Sequence, residues 1–101
     1  MAGRKALVAG ALGIVGSNVA QHLQALGGWE VVGIARGEPR SRPSWRLARL
    51  DLTDADACRW LISSERGISH LFYAARAPHP DAAAEVAANL GMLANLMEPL
   101  R

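Results

Sequence analysis

The chain has 101 residues, half of them hydrophobic and 20% charged, with one cysteine and a formal net charge of +2. That length bounds it to one domain or part of one, and the composition is that of a folding chain. A single cysteine excludes a disulfide framework and a multi-cysteine zinc site, and no apolar run approaches the ~20 residues of a membrane span.

The first residues lead straight into a short apolar run without the h-region and cleavage site of a signal peptide, so a reducing, cytoplasmic setting is expected. Ala6–Ala9 is a compact apolar run ending at Gly10, as in a buried parallel strand. Val15, Val19, Leu23 and Leu26 then recur at helical spacing, and Gly27-Gly28 closes that helix. Trp29–Ala35 reads as a second strand, residues 36–44 as an arginine- and proline-bearing loop, and Trp45–Leu50 as a third strand. Thr53 is expected to cap the next helix, with Asp56 reaching back; Asp54 is the other helix-start residue. That helix puts Ala57, Cys58, Leu61 and Ile62 on one side, Cys58 as a core residue, and ends at Gly67. Ile68–Ala74 is the fourth strand. Asp81 starts a last helix with an apolar stripe of Val86, Leu90, Leu93 and Met97.

The order β-α-β-β-α-β-α predicts an α/β fold: a doubly wound parallel sheet of Rossmann type, with strand order 3-2-1-4. The main chemical signal is Gly10, Gly13 and Gly16 between the first strand and first helix. There Gly10 reverses the chain, Gly13 admits a pyrophosphate to the backbone, and Gly16 brings helix and sheet close. The helix N-terminus adds free N–H donors and partial positive charge. The spacing is G-x-x-G-x-x-G, and the acid expected about 20 residues on, to hold a ribose 2′-hydroxyl, is replaced by Arg36. A guanidinium holds a 2′-phosphate instead, so NADP(H) is favoured over NAD(H). Arg40 and Arg42 either add to that charge or are solvated loop cations. Asp51, directly after the third strand, is either an acceptor for an adenine amino group or a turn residue at a helix entry; Leu52 can pack on the adenine face. His22, His70, His79 and Cys58 are too scattered for a metal site. No basic helix face or aromatic platform supports nucleic-acid binding.

Four stretches resemble the extended and atypical short-chain dehydrogenases/reductases, the NAD-dependent epimerase/dehydratase-like enzymes. They are the turn Gly10–Gly16, the adenine-side Asp51-Leu52-Thr53-Asp54, the fourth-strand Leu71–Ala75, and the helix segment Asn89–Glu98. Gly13–Gly16, Val32–Arg36, Arg42–Trp45 and His70–Tyr73 look most like its steroid 5β-reductase/iridoid synthase-like branch, which reduces conjugated enones with NADPH. The resemblance implies that Gly10, Gly13, Ile14, Val15 and Gly16 face the pyrophosphate, that Arg36 binds the 2′-phosphate, and that Asp51 and Leu52 bracket adenine. Ala74, Ala75 and Arg76 would line the central ribose region.

The family's proton-donating Tyr-x-x-x-Lys is missing: Tyr73 is the only tyrosine, and Lys5, the only lysine, lies far from it. Tyr73 is therefore read as structural. Residues 1–101 are expected to be an N-terminal nucleotide-binding half-domain without the catalytic and substrate-binding part. Its parent would pass hydride to a small carbonyl or enone; a non-catalytic NADP(H) sensor is the alternative. The fourth strand is expected at an exposed edge through which chains can pair.

Overall fold

The structure, a computed structural model, describes residues 3–76 and 78–100. The elements follow in the expected order: β1 (Arg4–Ala9), α1 (Ile14–Leu26), β2 (Trp29–Ala35), β3 (Arg46–Arg49), α2 (Ala55–Ser64), β4 (His70–Tyr73) and α3 (Ala82–Leu100). The strands form one parallel sheet in the order β3-β2-β1-β4, as the pattern of the sequence requires. β1 is central: Val8 stands opposite Gly33 of β2 and Phe72 of β4.

The chain divides into two compact units. The first runs up to Arg49 and resumes over Gly67–Ala75, so it holds the sheet and α1; the second takes Leu50–Arg66 and the chain from Arg76 on, so it holds α2 and α3.

In the first unit, Ala6, Val8 and Val31 share a core with Ala11, Ala20, Leu23 and Trp45. The alternate residues Leu7, Ala9, Val32 and Ile34 are equally buried. Strands buried on both faces read as unbroken apolar runs, which is why β1 and β2 were visible in the sequence. Small residues set how close α1 lies: its buried positions are Gly16, Ala20 and Leu23. The expected stripe is thus corrected at two positions, since Val15 and Leu26 are exposed. At the strands' N-terminal end, Trp29 meets the rings of His70 and Phe72 edge-on, and the Arg4 guanidinium lies 5.4 Å from the Trp29 ring centre.

In the second unit, α2 buries Cys58 and Leu61, as expected. Its cap is Asp54, whose carboxylate accepts from the Ala57 amide at 3.1 Å; Thr53 does not cap it. The Thr53 hydroxyl instead donates to Asp51 at 2.8 Å, which holds it one position before the helix boundary. The apolar stripe expected on α3 is corrected too. Val86, Leu90 and Met97 are exposed, and Met92 and Leu96 are the buried pair. This helix carries so few polar residues that periodicity alone could not select its inner face. The Asn95 side chain decides the orientation by donating to the Leu52 carbonyl at 2.8 Å. No helix among the described residues is long and apolar enough to cross a membrane.

Candidate functional site

The turn after β1 is built from backbone. The amides of Gly10 and Ala11 both donate to the Ile34 carbonyl, at 3.0 and 3.1 Å, which ties the turn to β2. Gly10 has φ +79°, and an added Cβ would lie 2.7 Å from the backbone of Ala74 and Ala75. Only glycine meets both demands. The chain leaving β4 thus passes directly over the turn, with the Ala74 amide bonded to the Ala9 carbonyl at 2.9 Å. Gly10, Ala74 and Ala75, three of the residues singled out in the sequence, are brought together here.

Gly16 serves packing. A Cβ there would lie 2.0 Å from the Gly10 carbonyl oxygen, inside any permissible contact. Gly13 is different. It is the N-cap of α1 at φ −76°, ψ 171°, conformations open to any residue, and its Cβ would meet the Gly10 oxygen at an ordinary 3.4 Å. No side chain caps this helix and its first turn holds no acid. The leading amides of a helix have no intrahelical acceptor. Here neither a side-chain cap nor a first-turn carboxylate answers them or the positive end of the helix dipole. The side chains of Ile14 and Val15, 84% and 65% exposed, stand beside that end.

Arg36 follows β2 and is exposed. The loop after it bounds an open cavity of about 710 Å³, reached by Leu12 of the glycine turn and by Ser17 and Gln21 of α1. Arg40 and Arg42 line this cavity, along with Ser41, Ser44 and Glu38. Trp45 forms its buried end; its ring fits against β2 because Gly33 has no Cβ, which would otherwise lie 2.5 Å from the indole. Glu38 went unremarked in the sequence, although it is the only acid between Arg36 and Ser44. Its Oε1 accepts from Arg49 Nη1 at 2.7 Å.

In the second unit, Asp51 Oδ1 accepts from both the amide and the hydroxyl of Thr53, at 2.9 and 2.8 Å. These bonds close a turn at the entry to α2. Leu52 is 6% exposed, so little of its side chain faces outward. Arg76 is ion-paired with Glu85 of α3 at 2.9 Å. Burial, and then the carboxylates of Asp54 and Asp51, push the Cys58 thiol above its ordinary value. Among the described residues, no three His, Cys, Asp or Glu side chains gather as metal ligands would.

The sequence model of the NAD dependent epimerase/dehydratase family matches residues 6–101. The chain is 30% identical to a 3-oxo-Δ4,5-steroid 5β-reductase of Arabidopsis thaliana over 94% of this chain and 26% of the reductase. Among solved structures, the Bordetella bronchiseptica enzyme WbmG in complex with NAD superposes with a TM-score of 0.78 at 26% identity, over 94% of this chain and 33% of that one. The UDP-glucose 4-epimerase of Thermotoga maritima shares the fold, with a TM-score of 0.81 at 19% identity, over 94% of this chain and 33% of the epimerase. The chain thus spans about a quarter of the curated relative and a third of the solved ones.

Proposed function

The chain belongs to the NAD dependent epimerase/dehydratase family, and on that premise we propose that it is the cofactor-binding portion of a short-chain-type oxidoreductase, holding NADP(H) in preference to NAD(H). The observation that carries the proposal is Gly13. Neither its dihedral angles nor its neighbours in the chain call for glycine, yet a Cβ there would stand at the open end of α1. A phosphate approaching the leading amides is what requires the space.

In this reading the first-turn amides of α1 donate to the pyrophosphate. Ile14 and Val15 cover it with apolar surface, and Ala74 and Ala75 bound the turn from the β4 side. Arg36, joined by Arg40 and Arg42, supplies cationic donors for a 2′-phosphate. For Asp51, Leu52 and Arg76 the family resemblance alone supports a part in binding. When bound, the cofactor supplies hydride, here to a small carbonyl or enone substrate held by other parts of a longer parent. A reducing, cytoplasmic setting suits a chain whose Cys58 is a buried free thiol.

The alternative reading is a non-catalytic NADP(H) sensor. The only tyrosine and the only lysine stand at opposite ends of neighbouring strands, and Lys5 is paired with Glu30 at 3.4 Å. They cannot act as the family's proton-donating pair. The downstream reading frame distinguishes the two: a Tyr-x-x-x-Lys there supports the oxidoreductase.

Calorimetric titration with NADPH and NADH tests the binding. NADPH is expected to bind more tightly, and Arg36→Ala to weaken NADPH roughly tenfold while leaving NADH nearly unchanged. Failure of both nucleotides to bind, or equal binding of the two, would sink the proposal.

A further inference from the structure

We propose that the Glu38–Arg49 ion pair sets the cofactor preference of the cavity beside the glycine turn. While Arg49 holds Glu38, the cavity takes a dinucleotide with a 2′-phosphate; when Glu38 is released, it takes one with a free ribose diol. This inference rests on the dinucleotide reading above and adds the device that chooses between the two cofactors.

Three observations lead to it. Glu38 lines the same cavity as Arg40 and Arg42, so the one acid of the loop stands where two cations would meet a phosphate. Its Oε1 accepts from Arg49 Nη1 at 2.7 Å. Arg49 itself does not line the cavity: it is the last residue of β3, in register with Ala35, the last of β2. Arg49 therefore acts on a ligand only through Glu38 and is a positioning residue.

The chemistry of the two states differs in sign. A free carboxylate accepts hydrogen bonds from two adjacent ribose hydroxyls, and it repels a phosphate monoester carrying between one and two negative charges. With its charge balanced and Oε1 engaged by Arg49, Glu38 repels a phosphate less and has fewer acceptor sites for a ribose diol, and Arg40 and Arg42 leave the cavity positive. Both members of the pair reach solvent, with side chains 76% and 52% exposed. Such a pair adds little to folding stability, so its loss is read in the ligand and not in the melting temperature.

The test is calorimetric binding of NADPH and NADH to the wild-type chain and to Arg49→Met, Arg49→Lys, Glu38→Gln and the Glu38→Gln/Arg49→Met double variant. Each is first checked for an unchanged melt. Arg49→Met is expected to weaken NADPH roughly fivefold at low salt and to leave NADH equal or tighter, an effect that fades as salt rises. Arg49→Lys keeps the charge and restores most of the preference. In the Glu38→Gln background, Arg49→Met is expected to change nothing further, because the carboxylate it controls is gone. If the wild-type chain prefers NADPH but Arg49→Met weakens both nucleotides alike, or acts equally with and without the Glu38 carboxylate, this inference is overturned and the dinucleotide reading stands. If the wild-type chain shows no preference for NADPH, both fall.

Discussion

Gly13 and Gly16 stand three positions apart in one motif, and the space around them differs: an added Cβ has ordinary room at the first and none at the second. Gly16→Ala drives a Cβ to 2.0 Å from the Gly10 oxygen. It should lower folding stability by about 1–3 kcal/mol, as overpacking does, measurable as a fall in the denaturant midpoint. Gly13→Ser places a favoured capping residue at an N-cap that has no side-chain cap. Its stability should hold, or rise by a few tenths of about 1 kcal/mol, while NADPH binding weakens by on the order of tenfold or more. A serine variant that binds as the parent does would remove the argument for a phosphate at this turn. Cys58 offers a pH test. Its folded thiol titrates above the ordinary value because burial and two carboxylates oppose the thiolate. Unfolding therefore releases a proton at alkaline pH. The contribution is whole below the unfolded thiol's value and is lost as pH rises from there through the folded one. Urea midpoints should drop across that window in the parent and not in Cys58→Ala, whatever the variant's lower baseline. At this scale the sequence disclosed which residues are special. It did not disclose that Glu38 shares a cavity with Arg40 and Arg42, since that proximity is made by the loop's fold against Trp45 and α1.

At the level of elements, the strands were legible because parallel strands buried on both faces form short, closed apolar runs. β2 falls on the expected Trp29–Ala35 without adjustment, whereas β4 is shorter than the Ile68–Ala74 expected. Helix faces were less legible. α1 turns Gly16 and Ala20 inward, and a count of large apolar residues passes over such positions. α3 is apolar nearly all round, and a single amide, Asn95, orients it. The entry to α2 gives a direct check on the corrected cap. Asp54→Ala removes the acceptor for the Ala57 amide and should cost about 1 kcal/mol. Thr53→Val removes only a bond to Asp51 and should cost about half as much. Equal losses would mean that the two residues share the capping role.

Over the whole molecule, the two edges of the sheet are unlike. β3 carries Arg46 and Arg49 and is blunted by charge; β4 is His70-Leu71-Phe72-Tyr73, with no Asp, Glu, Lys or Arg. An edge strand without carboxylates, lysine or arginine offers its backbone to another chain. We expect the weight-average mass of the isolated chain to rise with concentration in sedimentation experiments. His70→Glu, a charge at the exposed start of that edge, should hold it monomeric. A single monomeric species at high concentration would count against pairing through β4. By itself the sequence determined the α/β class, the succession of elements, the strand order and the place of the glycine turn. These depend on local periodicity, on glycine, and on the few ways that parallel strands joined by helices can be connected. Only the tertiary structure decided which helix faces are buried, that Asp51 closes a turn with Thr53, and that Glu38 meets Arg49 beside the cavity. Such contacts join residues separated along the chain, and no pattern of neighbours in sequence encodes the distance between them in space.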